Sequence, residues 1–565
     1  MYLKKVKNKK SGKTKLYVAQ SYRNSKGTPT CRNIEYIGFL EDLIEDNPNA
    51  LEYYTSYAKS FENNVINMPV NLTNKNGTKA SPVNIGYFFL ESIYQNIGID
   101  KFIKEYQKNM NFKYDLNEIL RLLVFSRILK PASKLSTFNN KDVYFDSFKI
   151  NLKDIYRSLS VMNDIKDRIQ SIANKTIKKS ISRDSTLVFY DVTNYYFETE
   201  IESDLKKKGM SKENKRSPIV QMGLLIDSNG LPIAYNLFAG NTHDSSTLIP
   251  FIDKMRGKYK FGKLILTADK GLNSGKNLAY LNSNKDGYIV SQKVRGASKE
   301  LVRILLDEKD YIYNGSKTFK SKSFIRERTV KDENNETVEL KEKVLCFWSK
   351  NYDSREKKKR EKLNEKIQSF IDTPSKYKSS NKYGIKKYIK PHNVNKQTGE
   401  IQDGKIVLQF DKEKYDRDVE LDGYYVIITN ELELTNEEIL EKYRGLWKIE
   451  ESFKVIKTDL EGRPVYVRTT DHIEGHFLIC FIALLITRIL EYNLEHKYSI
   501  AKIIEALSKM TVSDRKQAIF EIANKSEIYK EIEKSFEVEK LLDFDYTNIS
   551  NIKKYRREIK HYKIK

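Results

Sequence analysis

The stretch that decides the fold begins with STLVFYDVT (185–193) and continues with IVQMGLLIDSNG (219–230), LPIAYNLFAG (231–240), KLILTADKG (263–271) and GYIVSQKV (287–294). Each of these segments is strand-like, and helices are expected to begin at Ser246 and Ser274. The turn Ser228-Asn229-Gly230 favours a meander of the first three strands. Helical crossovers would return the later strands to the same sheet. Residues 183–295 therefore predict the order β-β-β-α-β-α-β and a mixed sheet.

That order is the topology of a ribonuclease H-like core, an α/β fold in which helices flank a mixed sheet. Residues 296–421 interrupt it with Lys-dense sequence, interpreted as a β-rich basic insertion that also holds one solvated helix, SREKKKREKLNEKIQSF. The core resumes over 422–500, where DGYYVIITN is a further strand. A strong helix then opens with the capping box Thr435-Asn436-Glu437-Glu438.

The flanking regions differ in pattern from the core. Residues 1–62 predict a small β-hairpin unit around the turn Ser25-Lys26-Gly27, and the Asn-rich stretch 63–80 predicts a linker. Residues 81–182 predict a helical domain, with one helix over Asn117–Leu129 that ends before Pro131. Residues 501–565 predict a helical region that finishes in a basic tail.

Composition favours a polyanionic partner. Lys and Arg number 101 against 76 Asp and Glu, so the net charge is +25, and nucleic acid is the first candidate. AT-rich coding alone could enrich Lys, so charge is supporting evidence only. Three separated cysteines, Cys31, Cys346 and Cys480, exclude a disulfide framework and favour a reducing cytoplasm. The start lacks a signal-peptide pattern, and the longest apolar run, Phe477 to Ile486, is about half of the ~20 residues of a membrane span, so it predicts a buried helix.

Three acidic residues are the candidate catalytic groups. Asp191 follows the apolar strand LVFY and Asp269 follows LILTA, so two neighbouring strand ends should present carboxylates together. Either Asp alone is more often a turn-former. The third acid, Glu450, lies on a helix whose packing stripe is predicted to be Leu446, Ile449, Phe453, Ile456 and Leu460. Clustered carboxylates that hold two divalent cations are what phosphoryl transfer on DNA needs.

Two polar residues share the helix edge of Glu450. Tyr443, Glu450 and Lys457 are seven residues apart, so on a regular helix they return to within about 20° of one angle. The Glu would lean towards the metal ions, while the Tyr and the Lys would reach phosphates on either side. Considered alone, such a row is more often a solvated helix face.

These residues carry a resemblance to a known family. The segments YDVTNYYFE, GMSKENKRSPIVQMGLLIDSNGLPIAYNLFAGNTHDSSTL, LTADKGLNS and YRGLWKIEESFKVIKTDLEGRPVYVRTTDHIEGHFLICFIALLI resemble a bacterial insertion-sequence transposase of the DDE type. The group is the insertion-sequence-four-like one, marked by a Tyr-Arg-Glu-Lys helix signature. The likeness covers about 185–295 and 420–490, and more faintly the helical segment LRLLVFSRILKPASKLSTF.

The resemblance implies roles for individual residues. Asp191, Asp269 and Glu450 would be the catalytic metal ligands for two Mg2+ (or Mn2+) ions, and Tyr443 and Lys457 would grip the DNA strand. The family's Arg falls where this chain has Leu446, so Arg444 is the substitute candidate. The other candidate DNA contacts are Lys454, Lys212, Lys215, Arg216 and Trp348.

The last of these candidates comes from the insertion. In relatives a tryptophan of the insertion stacks on a flipped base, and Trp348 is the one tryptophan there. The apolar strand KVLCFW favours a buried Trp348 instead.

Several histidines and one more acid have competing interpretations. His243 and Asp244 could line the active site, but Asp244 is expected to cap the helix near Ser246. His472 and His476 have a metal-ligand spacing, but with no third ligand nearby they are expected to be ordinary helix residues. Lys212, Lys215 and Arg216 would touch phosphates or form a solvated loop.

The sequence therefore predicts a transposase that binds the terminal inverted repeats of its own element as a homodimer in a bacterial, nucleoid-associated cytoplasm. Water and then the DNA 3′ hydroxyl would be the successive nucleophiles, acting on the element's ends and on target DNA. The helical domain 81–182 is the expected sequence-specific DNA-binding part. The rival interpretations are a ribonuclease H-like nuclease that does not join ends, and a decayed copy that binds DNA without cutting it.

Overall fold

The structure, a computed structural model, describes residues 1–8, 12–23, 29–60, 81–181, 183–210, 216–259, 262–372, 386–393, 406–514, 519–523, 526–538 and 545–564. The chain divides into two compact units, Met1–Lys79 and Ala80–Lys565.

The first unit is a small sheet followed by two helices. Its elements are β1 (Tyr2–Lys7), β2 (Thr14–Arg23), β3 (Pro29–Phe39), α1 (Leu40–Asp46) and α2 (Ala50–Ser60). The three strands pair antiparallel in chain order. A hairpin alone was expected, so the third strand and both helices are additions. The predicted turn Ser25-Lys26-Gly27 and the predicted linker 63–80 lie outside the described residues.

The second unit contains all the remaining strands and helices. Its strands are β4 (Val83–Asn84), β5 (Leu187–Tyr196), β6 (Ile219–Asp227), β7 (Pro232–Ala239), β8 (Ile265–Ala268), β9 (Gly287–Gln292), β10 (Ile312–Tyr313), β11 (Phe319–Lys331), β12 (Thr337–Ser349), β13 (Ile389–Asn393), β14 (Ile406–Phe410), β15 (Tyr424–Thr429), β16 (Thr511–Asp514), β17 (Ile519–Ala523) and β18 (Tyr546–Asn548).

Its helices are α3 (Tyr87–Asn96), α4 (Ile99–Lys108), α5 (Leu116–Leu129), α6 (Lys134–Asn139), α7 (Leu152–Ser180), α8 (Leu248–Lys258), α9 (Gly275–Ser283), α10 (Lys299–Leu306), α11 (Lys350–Asp372), α12 (Lys412–Glu420), α13 (Asn436–Arg444), α14 (Trp447–Lys454), α15 (Thr470–Asn493), α16 (Ile500–Lys509), α17 (Glu527–Ser535) and α18 (Ile549–His561). A π-helical turn, Val455–Asp459, continues directly from α14.

A nine-stranded mixed sheet forms the centre of this unit. Its order is β10-β11-β12-β15-β9-β8-β5-β6-β7, with β5, β8 and β9 parallel and the other neighbours antiparallel. The predicted meander β5-β6-β7 and the helical crossovers through α8 and α9 are confirmed. Every residue of β6 is buried, as expected of a strand covered on both faces.

The insertion over 296–421 is organised differently from the prediction. Its strands β10, β11 and β12 extend the central sheet, and β12 pairs with β15 beyond the insertion. The expected solvated helix is confirmed as α11, so the segment is α/β in character. The insertion is joined to the core in two ways. Strand β12 pairs antiparallel with β15, and apolar side chains of both strands are buried in the same clusters.

The predicted helical segment 81–182 is confirmed, and it shares its core with the rest of the unit. Asp115 caps α5 by accepting a hydrogen bond from the Glu118 N–H, and the helix ends before Pro131, as expected. Helices α5 and α7 pack against α15. Helix α15 is long and apolar enough to cross a membrane, but 94% of its most apolar window is buried inside the protein. The run from Phe477 is therefore a core helix, as predicted.

The sequence predicts a helical C-terminal region, but the structure contains strands there as well as helices. Strands β16, β17 and β18 form a four-stranded sheet with β4. The basic tail is helix α18, whose buried residues Ile552, Tyr555 and Ile559 pack in the main core. The Arg556 guanidinium binds the carboxylates of Glu91 and Asp146 at 2.6–2.9 Å, so that charge is already neutralised within the fold.

Candidate active site

The first two acids lie at the same level of neighbouring parallel strands, Asp191 within β5 and Asp269 just after the end of β8. In the β5–β8 ladder Phe189 lies opposite Thr267. Asp191 lies two residues after Phe189, and Asp269 lies two residues after Thr267. Because side chains alternate along a strand, both acids are on the same face of the sheet as Phe189 and Thr267. The expectation that the first strand ends at Asp191 is wrong, because β6 pairs with β5 as far as Tyr196. The parallel partner β8 ends at Ala268, and its ladder with β5 stops at the Phe189–Thr267 pair.

The third acid lies on a helix that packs against β5. The capping box of Thr435 and Glu438 is confirmed at the start of α13. The predicted packing stripe is also confirmed, since Ile449, Ile456 and Leu460 are fully buried and Phe453 is nearly so. An added Cβ on Gly445 would lie 2.3 Å from the Phe189 ring, so the α13–α14 turn touches the strand that carries Asp191.

Two polar contacts hold α14 in place. The Lys448 ammonium donates to the Ser228 carbonyl at 2.5 Å, which ties the helix to the β6–β7 turn. The buried Arg488 guanidinium of α15 donates to the Ser452 hydroxyl at 3.0 Å. The exposed Glu450 side chain is therefore carried by a fixed helix.

Asp191 and Glu450 line one open cleft of about 330 Å3. Its remaining lining residues are Thr193, Phe453, Lys454, Lys457, Thr458 and Arg463. Three of these residues are cations, so the cleft combines carboxylates with groups that bind phosphate. The Lys457 ammonium donates to the Thr193 hydroxyl at 2.7 Å and lies 5.5 Å from the centre of the Tyr195 ring. These contacts place Lys457 two residues along the strand from Asp191.

The expected row of Tyr443, Glu450 and Lys457 is only partly present. Glu450 and Lys457 share the cleft, but Tyr443 does not line it. A turn at Gly445 separates α13 from α14, and the π-helical turn changes the angle per residue, so spacing by seven does not keep one edge. The prediction that all three line one edge is therefore wrong.

Tyr443 lies on the Asp269 side. Burial raises the pKa of the Tyr443 hydroxyl, a hydrogen bond with Ser291 lowers it, and the charge of Asp269 raises it further. The Ser291 hydroxyl donates to the Asp269 carboxylate at 3.0 Å. Tyr443 and Ser291 therefore adjoin the second acid, while Lys457 adjoins the first.

The chemistry of the acids fits a hard divalent cation, which prefers carboxylate oxygens. Asp191 and Glu450 face one cleft, and the strand register brings Asp269 to the same edge. Within the described ranges, however, no group of three or more His, Cys, Asp and Glu residues is close enough to hold a metal ion. The three side chains share a region of the fold without forming a ready-made cage.

Asp244 also lies near this edge. Helix α8 begins at Leu248 with Thr247 as its N-cap residue, so the prediction that Asp244 caps this helix is wrong. An Asp244 carboxylate oxygen is 3.9 Å from the Cβ position of Gly271, two residues after Asp269. The interpretation in which Asp244 lines the site has support from this placement.

The remaining predicted DNA contacts lie in different surroundings. Arg444 is exposed and lines a second cavity of about 550 Å3 with Trp447 and Lys448, and Leu446 packs against the core. Arg216 is exposed, and the predicted Lys212 and Lys215 lie outside the described residues.

Trp348 is half-buried, so the prediction of a buried side chain is confirmed only in part. Its indole nitrogen is 2.5 Å from the Cβ position of Gly423, so the ring edge packs closely on that backbone. The other tryptophan, Trp447, is 54% exposed at the start of α14, the helix that carries Glu450. Sequence reasoning missed Trp447, although its position three residues before Glu450 placed it near the site.

Neither His472 nor His476 belongs to a group of three or more His, Cys, Asp and Glu residues among those that the structure describes. His476 is buried, and its ring lies 3.2 Å from the Gly462 carbonyl and 3.5 Å from the Lys134 ammonium. Burial and the charges of Lys134 and Arg127 hold the pKa of His476 well below its usual value. This histidine is therefore a neutral core residue behind the cleft.

Arg463 and Thr193 were also missed by sequence reasoning. Thr193 could have been found from strand alternation, since it lies two residues after Asp191 on the same face. Arg463 follows Gly462 in an irregular segment, and no periodicity there indicates where its side chain points.

Asp191 lies within β5 and Asp269 just past the end of the parallel strand β8, near a helix that carries a third acid, and such an arrangement is typical of enzymes that act on phosphodiesters. Residues 183–486, more than half of the chain, match the model of the family described as "Transposase DDE domain". The chain therefore belongs to the DDE transposase family.

Other comparisons add little to this assignment. Among solved structures, the chain is similar to one described as a piggyBac transposase synaptic complex with hairpin DNA. The two are 9% identical, with 77% of this chain and 82% of that chain covered and a TM-score of 0.33. A comparison with curated proteins finds no match.

Proposed function

We propose that this transposase cuts the ends of an insertion sequence and joins them to target DNA with Asp191, Asp269 and Glu450 as its catalytic acids. The observation that carries the proposal is the shared cleft of Asp191 and Glu450, with Lys454, Lys457 and Arg463 around it. The core order β7-β6-β5-β8-β9 supports a ribonuclease H-like interpretation of the sheet.

Each group has a distinct task in this proposal. Members of the family generally use divalent metal ions, and the three acids would hold two Mg2+ or Mn2+ ions. Bound there, the ions supply charge neutralisation for the attacking and leaving oxygens. Lys457 and Lys454 would bind the phosphates next to the cut, as point charges that neutralise the DNA backbone. Ser291 orients the Asp269 carboxylate through its hydrogen bond.

The proposed partners are the terminal inverted repeats of the element and target DNA, bound by a homodimer in a bacterial cytoplasm. The net charge of +25 favours such a polyanion. Arg444 and Arg216, both exposed, are further proposed backbone contacts, and Tyr443 and Trp348 are weaker candidates because their rings are packed.

A plasmid assay tests the proposal against its two rivals. The donor plasmid carries the coding sequence with its native flanking DNA, and the purified chain is supplied with Mg2+ and a target plasmid. Joined donor and target DNA is the expected product. Breaks without joining would identify a nuclease of the same fold, and DNA binding without breaks would identify a copy that has lost its chemistry.

A further inference from the structure

The segment 462–469, which follows the Glu450-bearing helix, starts from a fixed point. The Arg127 guanidinium donates to the carbonyls of Leu460 and Glu461 at 3.2 and 3.1 Å. The His476 ring lies 3.2 Å from the next carbonyl, that of Gly462. Three successive carbonyls are thus held by side chains of α5 and α15, so the segment leaves the cleft in a defined direction.

The same segment runs beside the strand that carries Asp191. The Val465 N–H donates to the Tyr196 carbonyl at 3.2 Å, and Val465 forms a parallel bridge with Phe197. Asp191 and Phe197 are six residues apart, which is about 20 Å along a strand. B-form DNA covers that distance in about six nucleotides of one strand. The segment therefore borders a path, leading away from the cleft, that is long enough for about six nucleotides of one strand.

Side chains of the segment alternate between the core and the surface. Val465 and Val467 are buried, which anchors the segment, whereas Tyr466 is 64% exposed. Tyr466 is the most exposed large aromatic side chain in the part of the chain that the structure describes. Its ring does not contribute to the core, so packing does not account for an aromatic residue at this position.

Cations accompany the exposed ring. Arg463 lines the cleft at one end of the segment, and Arg468 is exposed near the other end. The Lys206 side chain is buried against the Phe197 ring, with its ammonium 5.6 Å from the ring centre. Burial lowers the pKa of Lys206, and the charge of Arg468 lowers it further. Among the described residues neither Lys206 nor Arg468 has an ion-pair partner, so a phosphate would relieve the repulsion between them.

We propose that segment 462–469 and Lys206 form a binding track for an unpaired DNA strand next to the cleavage site. Tyr466 stacks on a base of that strand, the exposed Arg468 binds its backbone phosphates, and Lys206 adds positive charge from its buried position against the Phe197 ring. An exposed aromatic ring accompanied by cations is a pattern that binds single-stranded nucleic acid with little sequence preference. The proposal rests on the proposed function, because it assigns the track to the DNA that the cleft would cut.

The test measures binding of the full chain to a fluorescein-labelled duplex with a single-stranded overhang and to the same duplex with blunt ends. Tyr466→Ala is expected to weaken binding of the overhang DNA roughly tenfold or more, with a smaller effect on the blunt duplex. Tyr466→Trp should retain wild-type binding, because stacking needs only an aromatic face. Arg468→Gln should reduce the slope of log affinity against log salt by about 0.7 to 0.9.

Tyr313→Ala is the matched control, since Tyr313 is 46% exposed on β10, six strands away from β5. This variant should bind both DNAs as the wild type does. Wild-type affinity of Tyr466→Ala for the overhang DNA, or an equal loss for both DNAs, would overturn the track. Failure of the wild type to bind either DNA would instead refute the proposed function, so the two failures can be told apart.

Discussion

At the scale of single residues, the site depends on where each charge is held. Asp191 and Asp269 follow from the register of two parallel strands, and Glu450 reaches the same cleft as Asp191 from a packed helix. Whereas the acids line or adjoin an open cleft, the Lys134 side chain is buried in the core behind that cleft. Its neighbours are the Arg127 guanidinium of α5 and, on α15, the neutral His476 ring and the Cys480 thiol. Burial is the main reason that the pKa of Lys134 falls to about 7.

This burial predicts a pH-dependent stability. Between about pH 7 and pH 10 the unfolded chain keeps the Lys134 proton that the folded chain has released, so the free energy of unfolding rises with pH. Lys134→Met should remove that rise, which amounts to roughly 2 kcal/mol between pH 7 and pH 9. Urea denaturation across this range measures it. The exposed neighbour variant Lys130→Met should keep the wild-type slope, and an equal slope in Lys134→Met would refute the assignment.

At the scale of elements, the approach of α14 to β5 sets the cleft. Gly445 permits it, because a Cβ there would lie 2.3 Å from Phe189. Gly445→Ala should therefore lower the free energy of unfolding by about 1–3 kcal/mol and reduce DNA cleavage by moving Glu450. Chemical denaturation and a cleavage assay measure the two effects.

Gly257→Ala is the control for this variant, because nothing lies within 4 Å of a Cβ at Gly257 near the end of α8. It should leave both stability and cleavage near wild type. Full cleavage by Gly445→Ala would mean that the helix position does not govern the site.

The same element scale shows why sequence predicted some features and missed others. The strands carrying Asp191 and Asp269 and the stripe from Ile449 to Leu460 are local patterns, and they were predicted correctly. Regular helix is interrupted by the break at Gly445 and by the π-helical turn Val455–Asp459. Both interruptions depend on tertiary packing, so the sequence did not predict the position of Tyr443 correctly. Strands β16 to β18 were missed because their pairing with one another and with β4 is set by tertiary contacts and their runs are short.

At the scale of the whole molecule, the ends of the second unit are joined through charge. Arg556 of α18 bridges Glu91, which is 1% exposed, and Asp146. Arg556→Met would remove a cation that binds the buried Glu91 carboxylate, so the free energy of unfolding should fall by about 3 kcal/mol. Thermal denaturation measures this loss. Exposed Arg557→Met on the same helix should cause little change, and equal losses in both variants would contradict the bridge.

The central claim is that three distant acids serve one reaction, and metal-dependent cleavage of DNA carrying the element's ends tests it most directly. Asp191→Asn, Asp269→Asn and Glu450→Gln are each expected to lower Mg2+-dependent cleavage by about a thousandfold or more while DNA binding persists. Glu441→Gln, an exposed acid on the preceding helix, should cleave as the wild type does. Wild-type cleavage by any of the three variants would contradict the claim for that residue.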